Sequence, residues 1–202
     1  MDEQLIIAVS REFASGGREI AHMLAKKFEI NYYDRNLLDE IAAEKMGNID
    51  RLRKFDEVPK RSFLSRTVRG MSSSPEEHVA NIQFEYLQKK AESGESFVIV
   101  GRCADDVLSD YPGLVTIFIL ADEDCKVKRV CESRNVDEDE ARNIINRHDK
   151  SRRMYHNYYC CNQWGDAKGY DITINTSRLG IEKTADLLEN YIRQRIAKAI
   201  EN

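Results

Sequence analysis

The sequence predicts an α/β protein whose parallel sheet carries helices on both faces. Short apolar segments alternate along the chain with segments of helical periodicity, which is typical of strand–helix–strand units. Residues 97–100 and 114–120 are continuously apolar, as expected of strands that are buried on both faces. With 202 residues, the chain is long enough for one domain of this class with its own core.

The first unit of the chain is a strand, a loop of small residues and a helix. Residues 5–10 form the predicted strand, and residues 17–28 form the predicted helix because their apolar positions repeat at helical spacing. Those positions are Ile20, Met23, Leu24 and Phe28. Backbone N–H groups of such a loop can hold a phosphate group together with the N-terminus of the helix.

The next segment, residues 31–93, is predicted to be mostly helical and to lie largely outside the sheet. An extended piece at 31–33 ends at Asp34, a residue type that caps helices, and a helix is predicted over 35–46. Residues 47–75 combine many charges with Gly, Pro and Ser, which favours a surface excursion over a linker between large domains. Pro75 then begins a helix that extends to about residue 93, because Pro suits a first helical turn.

The second half of the chain completes the alternation. A helix is expected over 123–134, a charged helical region over 137–159, a last strand over 170–175 and a closing helix over 181–200. In parallel sheets, ligands lie beyond the carboxyl ends of the strands. The strand ends that become candidates for one site are residues 10–17, 33–34, 101–102 and 121–122.

Charge and composition exclude several classes of partner. A net charge of -4 gives no basic footprint for nucleic acid polymers or a membrane surface, and no apolar stretch reaches the ~20 residues of a membrane span. Local basic clusters at 51–69 and 142–153 favour a small anionic ligand. The acidic N-terminus does not resemble a signal peptide, and the five cysteines form no Cys-x-x-Cys pair, so we expect a cytoplasmic protein with reduced thiols. The oligomeric state stays open.

Five ordered segments carry a family resemblance. They are residues 10–19 (Ser-Arg-Glu-Phe-Ala-Ser-Gly-Gly-Arg-Glu), 32–34, 98–102, the Arg-rich 147–153, and 175–182. In this order and spacing they resemble the nucleoside monophosphate kinases, most closely the cytidylate kinase-like family of P-loop kinases. The resemblance implies a P-loop NTPase fold, three-layer α/β/α with a parallel sheet, in a single domain over 1–202. It also implies a helical acceptor-binding insertion at 35–95 and an Arg-rich lid at 137–168.

The same resemblance implies a kinase that moves the γ-phosphate of ATP, with Mg²⁺, to a small acceptor, first of all CMP or dCMP. The P-loop pattern G-x-x-x-x-G-K-[ST] is incomplete, because no Lys stands in the loop. Alignment without a gap puts Gly17 at the Lys position, whereas a one-residue shift puts Arg18 there and Glu19 at the metal ligand. We favour the ungapped alignment, under which Arg18 or Arg11 must supply the missing charge.

The resemblance also assigns roles to single residues. Arg147, Arg152 and Arg153 of the lid are expected to act with Arg18 on the transferring phosphate. The expected acceptor contacts are Asp34, Arg102, Asp105 and Asp149. The expected donor contacts are Ser10, Arg11, Ser15, Gly16, Gly17, Arg18, Glu19 and Arg129. No metal ligand is assigned, because the spacing of His148, His156, Cys160 and Cys161 matches no zinc-binding pattern.

Other interpretations stay open. Loss of the loop Lys is compatible with a non-catalytic nucleotide-binding module. Cys103, which stands where the family's Gly-Arg-Asp motif has Asp, favours a kinase for a different small acceptor. At single residues, Asp34 is equally well explained as a helix cap, and the lid arginines as a solvated helix face.

Overall fold

The computed structural model describes residues 4–34, 37, 38, 41 and 75–200. Five parallel strands form one sheet in the order β2-β3-β1-β4-β5. Ile6 of the central strand lies opposite Phe97 on one side and Leu114 on the other. The strands are β1 (Ile6–Arg11), β2 (Asn31–Tyr33), β3 (Phe97–Val100), β4 (Leu114–Leu120) and β5 (Ile172–Asn175).

The helices follow the predicted order with one addition. They are α1 (Gly17–Phe28), α2 (Pro75–Glu92), α3 (Ala104–Val107), α4 (Glu123–Arg134), α5 (Glu138–Tyr159) and α6 (Gly180–Ile200), with a 3₁₀ turn at Ala167–Gly169. The sequence did not predict α3, which is only four residues long. The helix predicted over 35–46 is described only at residues 37, 38 and 41, which are helical, and the excursion up to residue 74 lies outside the described residues.

Alternate residues of the strands build a core on each face of the sheet. Ile7 and Val9 point to one face, where they pack with α1 and α6 through residues such as Leu24 and Leu188. Ile6, Ala8 and their neighbours on β3 point to the other face, where α2 covers them. This alternation follows from the two-residue period of a strand. The predicted three-layer α/β/α arrangement with a parallel sheet is therefore confirmed.

The predicted lid segment contains a helix that packs onto the domain. Asp137 caps α5 by accepting a hydrogen bond from the Glu140 N–H at 2.8 Å. An apolar cluster then joins α5 to α4, with the loop residue Phe13 packed at its border. Its buried members are Val127, Val130, Ala141, Ile144 and Ile145. The Arg-rich helix is consequently held beside the loop that follows β1.

Within the described part of the chain, no helix combines the length and apolarity needed to cross a membrane.

Candidate functional site

The loop after β1 forms one wall of an open cleft at the carboxyl edge of the sheet. The cleft has a volume of about 630 Å³, and its other walls come from Asp34 after β2, α4, Arg152 of α5 and Ile181 of α6. Guanidinium groups outnumber carboxylates along it. The arginines are Arg11, Arg18, Arg129, Arg134 and Arg152, and the carboxylates are Glu12, Glu19, Asp34 and Glu132. A concentration of planar, bidentate donors is well suited to phosphate groups.

The backbone of the loop adopts a conformation that needs a glycine. Gly16 precedes α1 with φ +85°, in the left-handed region. A Cβ atom there would also lie 2.8 Å from Ile181 Cγ1. Arg129 donates to the Ala14 carbonyl at 2.9 Å, and Thr176 donates to the Ser15 carbonyl at 2.7 Å. These contacts hold the loop at the N-terminus of α1, where a helix offers unpaired N–H groups to an anion.

Gly17, which the ungapped alignment puts at the position of the P-loop Lys, is packed against Arg11. A Cβ atom on Gly17 would lie 2.6 Å from Arg11 Cβ and 3.2 Å from Ile119 Cβ. No side chain fits at Gly17 while Arg11 holds this place. A Lys at position 17 would therefore overlap with Arg11. Under the ungapped alignment, this overlap accounts for the absence of the P-loop Lys.

Arg18 turns toward the neighbouring strand end. Its Nε lies 2.7 Å from Asp34 Oδ2, and its side chain is 62% exposed whereas that of Asp34 is 3% exposed. A hydrogen bond with Tyr32, followed by the charge of Asp34, raises the pKa of Arg18. Arg18 therefore stands at the rim of the cleft as a partner of Asp34.

A buried charged cluster ties the loop to α5 and α4. Asp149 Oδ1 accepts a hydrogen bond from the Phe13 N–H at 2.6 Å. Lys126 Nζ lies 2.8 Å from Glu12 Oε2 and 3.8 Å from Asp149 Oδ2. Burial raises the pKa of Asp149, although the Phe13 N–H and then the charge of Lys126 oppose that rise. Asp149 thus holds the loop in this structure, and its predicted contact with the acceptor stays a prediction.

Phe13 extends this attachment with its ring. The ring stacks on His148 of α5, with centroids 4.2 Å apart and planes inclined by 10°. The guanidinium of Arg134 lies 5.3 Å from the ring centroid and that of Arg152 lies 5.6 Å from it. Arg152 Nη1 also donates to the Arg11 carbonyl at 3.2 Å. The predicted lid thus contacts the loop through Asp149, His148 and Arg152.

A second, small cavity lies between the ends of β1 and β3 and the helix α5. Its volume is about 20 Å³, and three arginines line it: Arg11, Arg102 and Arg152. Arg102 is 2% exposed. Arg102 and Cys103 both adopt positive φ, at +61° and +55°. Two consecutive left-handed residues that are not glycine are strained, and such strain concentrates at functional sites.

The structure brings together some of the sequence-predicted residues and separates others. Ser15 is buried, and its hydroxyl donates to the Glu12 carbonyl at 2.9 Å. Ser10 lines the small cavity, and Glu19 stands at the cleft. Arg147 is exposed and lines neither cavity, while Arg153 packs 5.3 Å above the Trp164 ring and faces a separate cleft. Catalytic roles for these two arginines stay predictions that require movement of α5.

Asp105, expected at the acceptor, is paired with a residue of α5. Its Oδ2 lies 2.7 Å from His156 Nε2, and both side chains are 5% exposed. Burial alone would lower the pKa of His156, but the hydrogen bond with Asp105, followed by the effect of the nearby Cys160 side chain, raises it to about 10. Sequence reasoning missed this cluster because 51 residues separate Asp105 from His156. The only signal was local, since Cys160 stands four residues after His156 at the end of a region that the sequence predicts as helical.

Comparison with known proteins gives a family and a fold. The model of the cytidylate kinase-like family matches residues 6–178. An uncharacterized protein from Eubacterium ventriosum ATCC 27560 is 39% identical, with a TM-score of 0.75 over 94% of this chain and 99% of that one. No curated protein matches this chain.

Two shikimate kinases share the architecture at low identity. The enzyme from Bacteroides thetaiotaomicron is 16% identical with a TM-score of 0.54, over 94% of this chain and 98% of that one. The enzyme from Acinetobacter baumannii, solved in complex with shikimate, is 12% identical with a TM-score of 0.52 over 96% of each chain. At these identities the likeness shows the fold alone, which is the P-loop NTPase fold that the sequence predicted.

Proposed function

Because the chain belongs to the cytidylate kinase-like family, we propose that it transfers the γ-phosphoryl group of ATP to the phosphate of a nucleoside monophosphate, CMP or dCMP first. Family and fold together support a kinase-type phosphotransferase that acts on a nucleotide or another small molecule. The choice of CMP or dCMP rests on the family resemblance. The proposal places the enzyme in the cytoplasm, where ATP is abundant.

The position of Arg11 carries the proposal. Phosphoryl transfer requires mainly that the phosphates be positioned and their charge be neutralised, and the loop Lys normally supplies one of these charges. Arg11 reaches the same cleft from the end of β1 and occupies the space beside Gly17. Arg18 is the weaker candidate, since its guanidinium is committed to Asp34. The loop therefore keeps a cation without a Lys, which favours an active kinase over a non-catalytic module.

We assign the acceptor phosphate to the small cavity, which has a volume of about 20 Å³, enough for a water molecule, and would have to widen by a movement of α5. Arg102 and Arg152 line it together with Arg11, and Arg11 lines the large cleft as well. Arg11 thus stands between the places we assign to donor and acceptor. In the proposed step, an oxygen of the acceptor phosphate bonds to the γ-phosphorus while the bond to the β–γ bridging oxygen breaks and ADP leaves. The three guanidiniums hold the oxygens in line and stabilise their charge.

Mg²⁺ would enter with the nucleotide and neutralise charge on the phosphates. Hard carboxylate oxygens suit this ion, and Asp34 and Glu19 are carboxylates at the cleft that would serve as its ligands. This chain's own contribution is the arrangement around it. Asp149 and Lys126 hold the loop in place, and α5 covers the small cavity.

The proposal is tested by measuring ADP release from Mg-ATP with CMP, dCMP, UMP, AMP, GMP and shikimate as acceptors, alongside ATP binding by calorimetry. We expect ADP release that depends on a nucleoside monophosphate and is fastest with CMP or dCMP. Release that depends on another acceptor would keep the kinase and replace its substrate. ATP binding without release under any acceptor would overturn the enzyme proposal in favour of the nucleotide-binding module.

A further inference from the structure

Three metal-ligating side chains meet at the point where the end of α5 packs on α3. They are Asp105 of α3, His156 in the last turn of α5 and Cys160, which follows that helix directly. One carboxylate oxygen, one imidazole nitrogen and the Cys160 sulfur all lie within 4.8 Å of one another. The backbone favours this convergence from both sides, since Cys160 follows His156 by four residues at the end of α5 and Asp105 lies in α3, which begins shortly after β3.

The cluster is buried and incompletely bonded. The side chains of Asp105 and His156 are each 5% exposed. Among the described residues, neither Asp105 Oδ1 nor His156 Nδ1 has a hydrogen-bond partner. Buried polar atoms without partners are costly, and in native proteins a water, an ion or a catalytic role accounts for them. The single short contact between the two side chains therefore leaves part of their bonding capacity unused.

We propose that Asp105, His156 and Cys160 form a binding site for a divalent metal ion of the zinc class. Nitrogen, sulfur and carboxylate oxygen are the ligand atoms that Zn²⁺ takes in proteins, and three protein ligands are enough to hold the ion. Binding replaces the thiol proton of Cys160 and the proton between His156 and Asp105, and these protons leave to solvent as the metal–ligand bonds form. The sulfur favours a zinc-class ion over Mg²⁺ or Ca²⁺, which prefer oxygen.

This site would fasten the lid helix to the acceptor side of the domain. Earlier on α5, Asp149 and Arg152 contact the loop. Its last turn would be fixed by the metal to α3, three residues beyond Arg102. A bound ion would therefore set where α5 lies relative to the small cavity. His156 also lines the small cavity, but metal binding is measured without turnover, so the test of this site does not depend on the proposed kinase activity.

The test uses the full chain, stripped of metal with a chelator and then titrated with Co²⁺ as a spectroscopic substitute for Zn²⁺. We expect one ion per chain, with visible d–d bands of a low-coordinate site and a near-ultraviolet sulfur-to-cobalt band, and competition by Zn²⁺. Cys160→Ser should remove the sulfur band. Cys160→Ser and Asp105→Asn should each weaken binding by at least about tenfold, the lower end of what even outer-shell changes cost.

Matched controls separate this site from other thiols and imidazoles. Cys161→Ser changes the adjacent exposed thiol, and His78→Ala changes an exposed imidazole on α2, so both should bind Co²⁺ as the wild type does. Circular dichroism of every variant without metal verifies that the fold is kept. No stoichiometric binding by the wild type, or a sulfur band that survives Cys160→Ser or disappears with Cys161→Ser, would overturn the proposal. The cluster would then be a hydrogen-bonded pair beside a thiol.

Discussion

The two ends of the sheet use polar residues in opposite ways. At the amino end, Gln4 donates to the Ala91 and Glu95 carbonyls at 2.7 and 2.9 Å. The Glu95 carboxylate there accepts from Asn31 at 2.7 Å and from the Tyr33 hydroxyl at 2.6 Å. At the carboxyl end, five arginines face an open cleft with four carboxylates, and two consecutive residues that are not glycine, Arg102 and Cys103, have positive φ. Satisfied groups stabilise the fold, whereas excess cations on a strained backbone are arranged for an anion.

Asp149 is an exception to this contrast, because it lies at the carboxyl end and nevertheless stabilises the fold. Its replacement has the largest expected effect. Asp149→Ala removes the partner of the Phe13 N–H and leaves Lys126 less compensated in a buried place. We expect the free energy of unfolding to fall by about 3 kcal/mol, because removing one member of a buried charged group costs this much. Urea denaturation measures the loss, and ATP binding should be lost with it.

The control for Asp149 lies away from the cleft. Asp186 is 63% exposed and pairs with Lys27 at 2.8 Å, so Asp186→Ala should cost less than about 1 kcal/mol, as exposed ion pairs do. Equal losses in the two variants would contradict the role we give Asp149.

A swap of charge between two positions tests whether the carboxyl end is catalytic. Arg11→Gly should lower kcat by about 10²-fold, as removal of one group that stabilises the transition state does. Arg11→Gly combined with Gly17→Lys frees the space beside Gly17 and returns a cation, so part of the rate should return. Steady-state kinetics, corrected for the folded fraction, measure both.

The matched change for this swap is Arg193→Ala, on an exposed residue of α6 near the far end of α1. It should leave the rate unchanged. If the double variant is folded but no faster than Arg11→Gly, the hypothesis that Arg11 replaces the missing Lys is contradicted.

Arg102 tests the acceptor side of the same end. Arg102→Lys keeps the charge but loses the planar fork that binds two phosphate oxygens at once. We expect the KM for the acceptor to rise about tenfold, which corresponds to the loss of about one hydrogen bond to a charged group, while the KM for ATP stays constant. Equal changes in both KM values would indicate that Arg102 supports the fold instead.

Two glycines with similar backbone angles compare the ends directly. Gly16 at the cleft has φ +85° and would meet Ile181 at 2.8 Å, whereas Gly94 near the amino end has φ +79° and open space. Gly94→Ala should cost about 1 kcal/mol from backbone strain alone. Gly16→Ala should cost about 2 kcal/mol, since steric overlap adds to the strain. Thermal unfolding measures the difference between the two losses of stability. Equal losses would show that the loop moves to relieve the overlap with Ile181.

The smallest effect concerns pH at the amino end. Partial burial opposes the charge of Glu95, but hydrogen bonds from Tyr33 and Asn31 lower its pKa below the usual 4.5. Its stabilising contribution is therefore present above pH 4.5 and is lost as the pH falls through the lower value in the folded protein. Relative to Glu95→Gln, the wild type should lose on the order of 0.5 kcal/mol on acidification through this range. If acidification lowers the free energy of unfolding equally in the wild type and in Glu95→Gln, this role of Glu95 is contradicted.

The sequence predicted most of the elements because their signals are local. Apolar runs gave β3 and β4 to the residue, and the glycine loop placed the start of α1. The helix α3 was missed because it follows left-handed residues at Arg102 and Cys103, a conformation that their residue types do not announce. The strand ends were predicted to meet because parallel strands share one carboxyl edge.

The details of the candidate site escaped the sequence for a different reason. Arg18 and Arg11 were equally good sources of the missing charge until the structure showed Arg18 beside Asp34 and Arg11 beside Gly17. Nor did the sequence predict that Asp149 accepts a hydrogen bond from the Phe13 N–H, which lies 136 residues away along the chain. Such pairings depend on how helices pack across the sheet, which spacing along the chain does not encode.

The sequence alone determined the α/β class, the order of its elements, the glycine loop and the family to which the chain belongs, since these follow from periodicity and local motifs. Only the tertiary structure shows that Arg11 packs beside Gly17 and that Asp149 holds the loop. It alone also shows that Asp105, His156 and Cys160 meet. The physical reason is that charge and coordination act over a few ångströms in space, between residues that the chain keeps far apart.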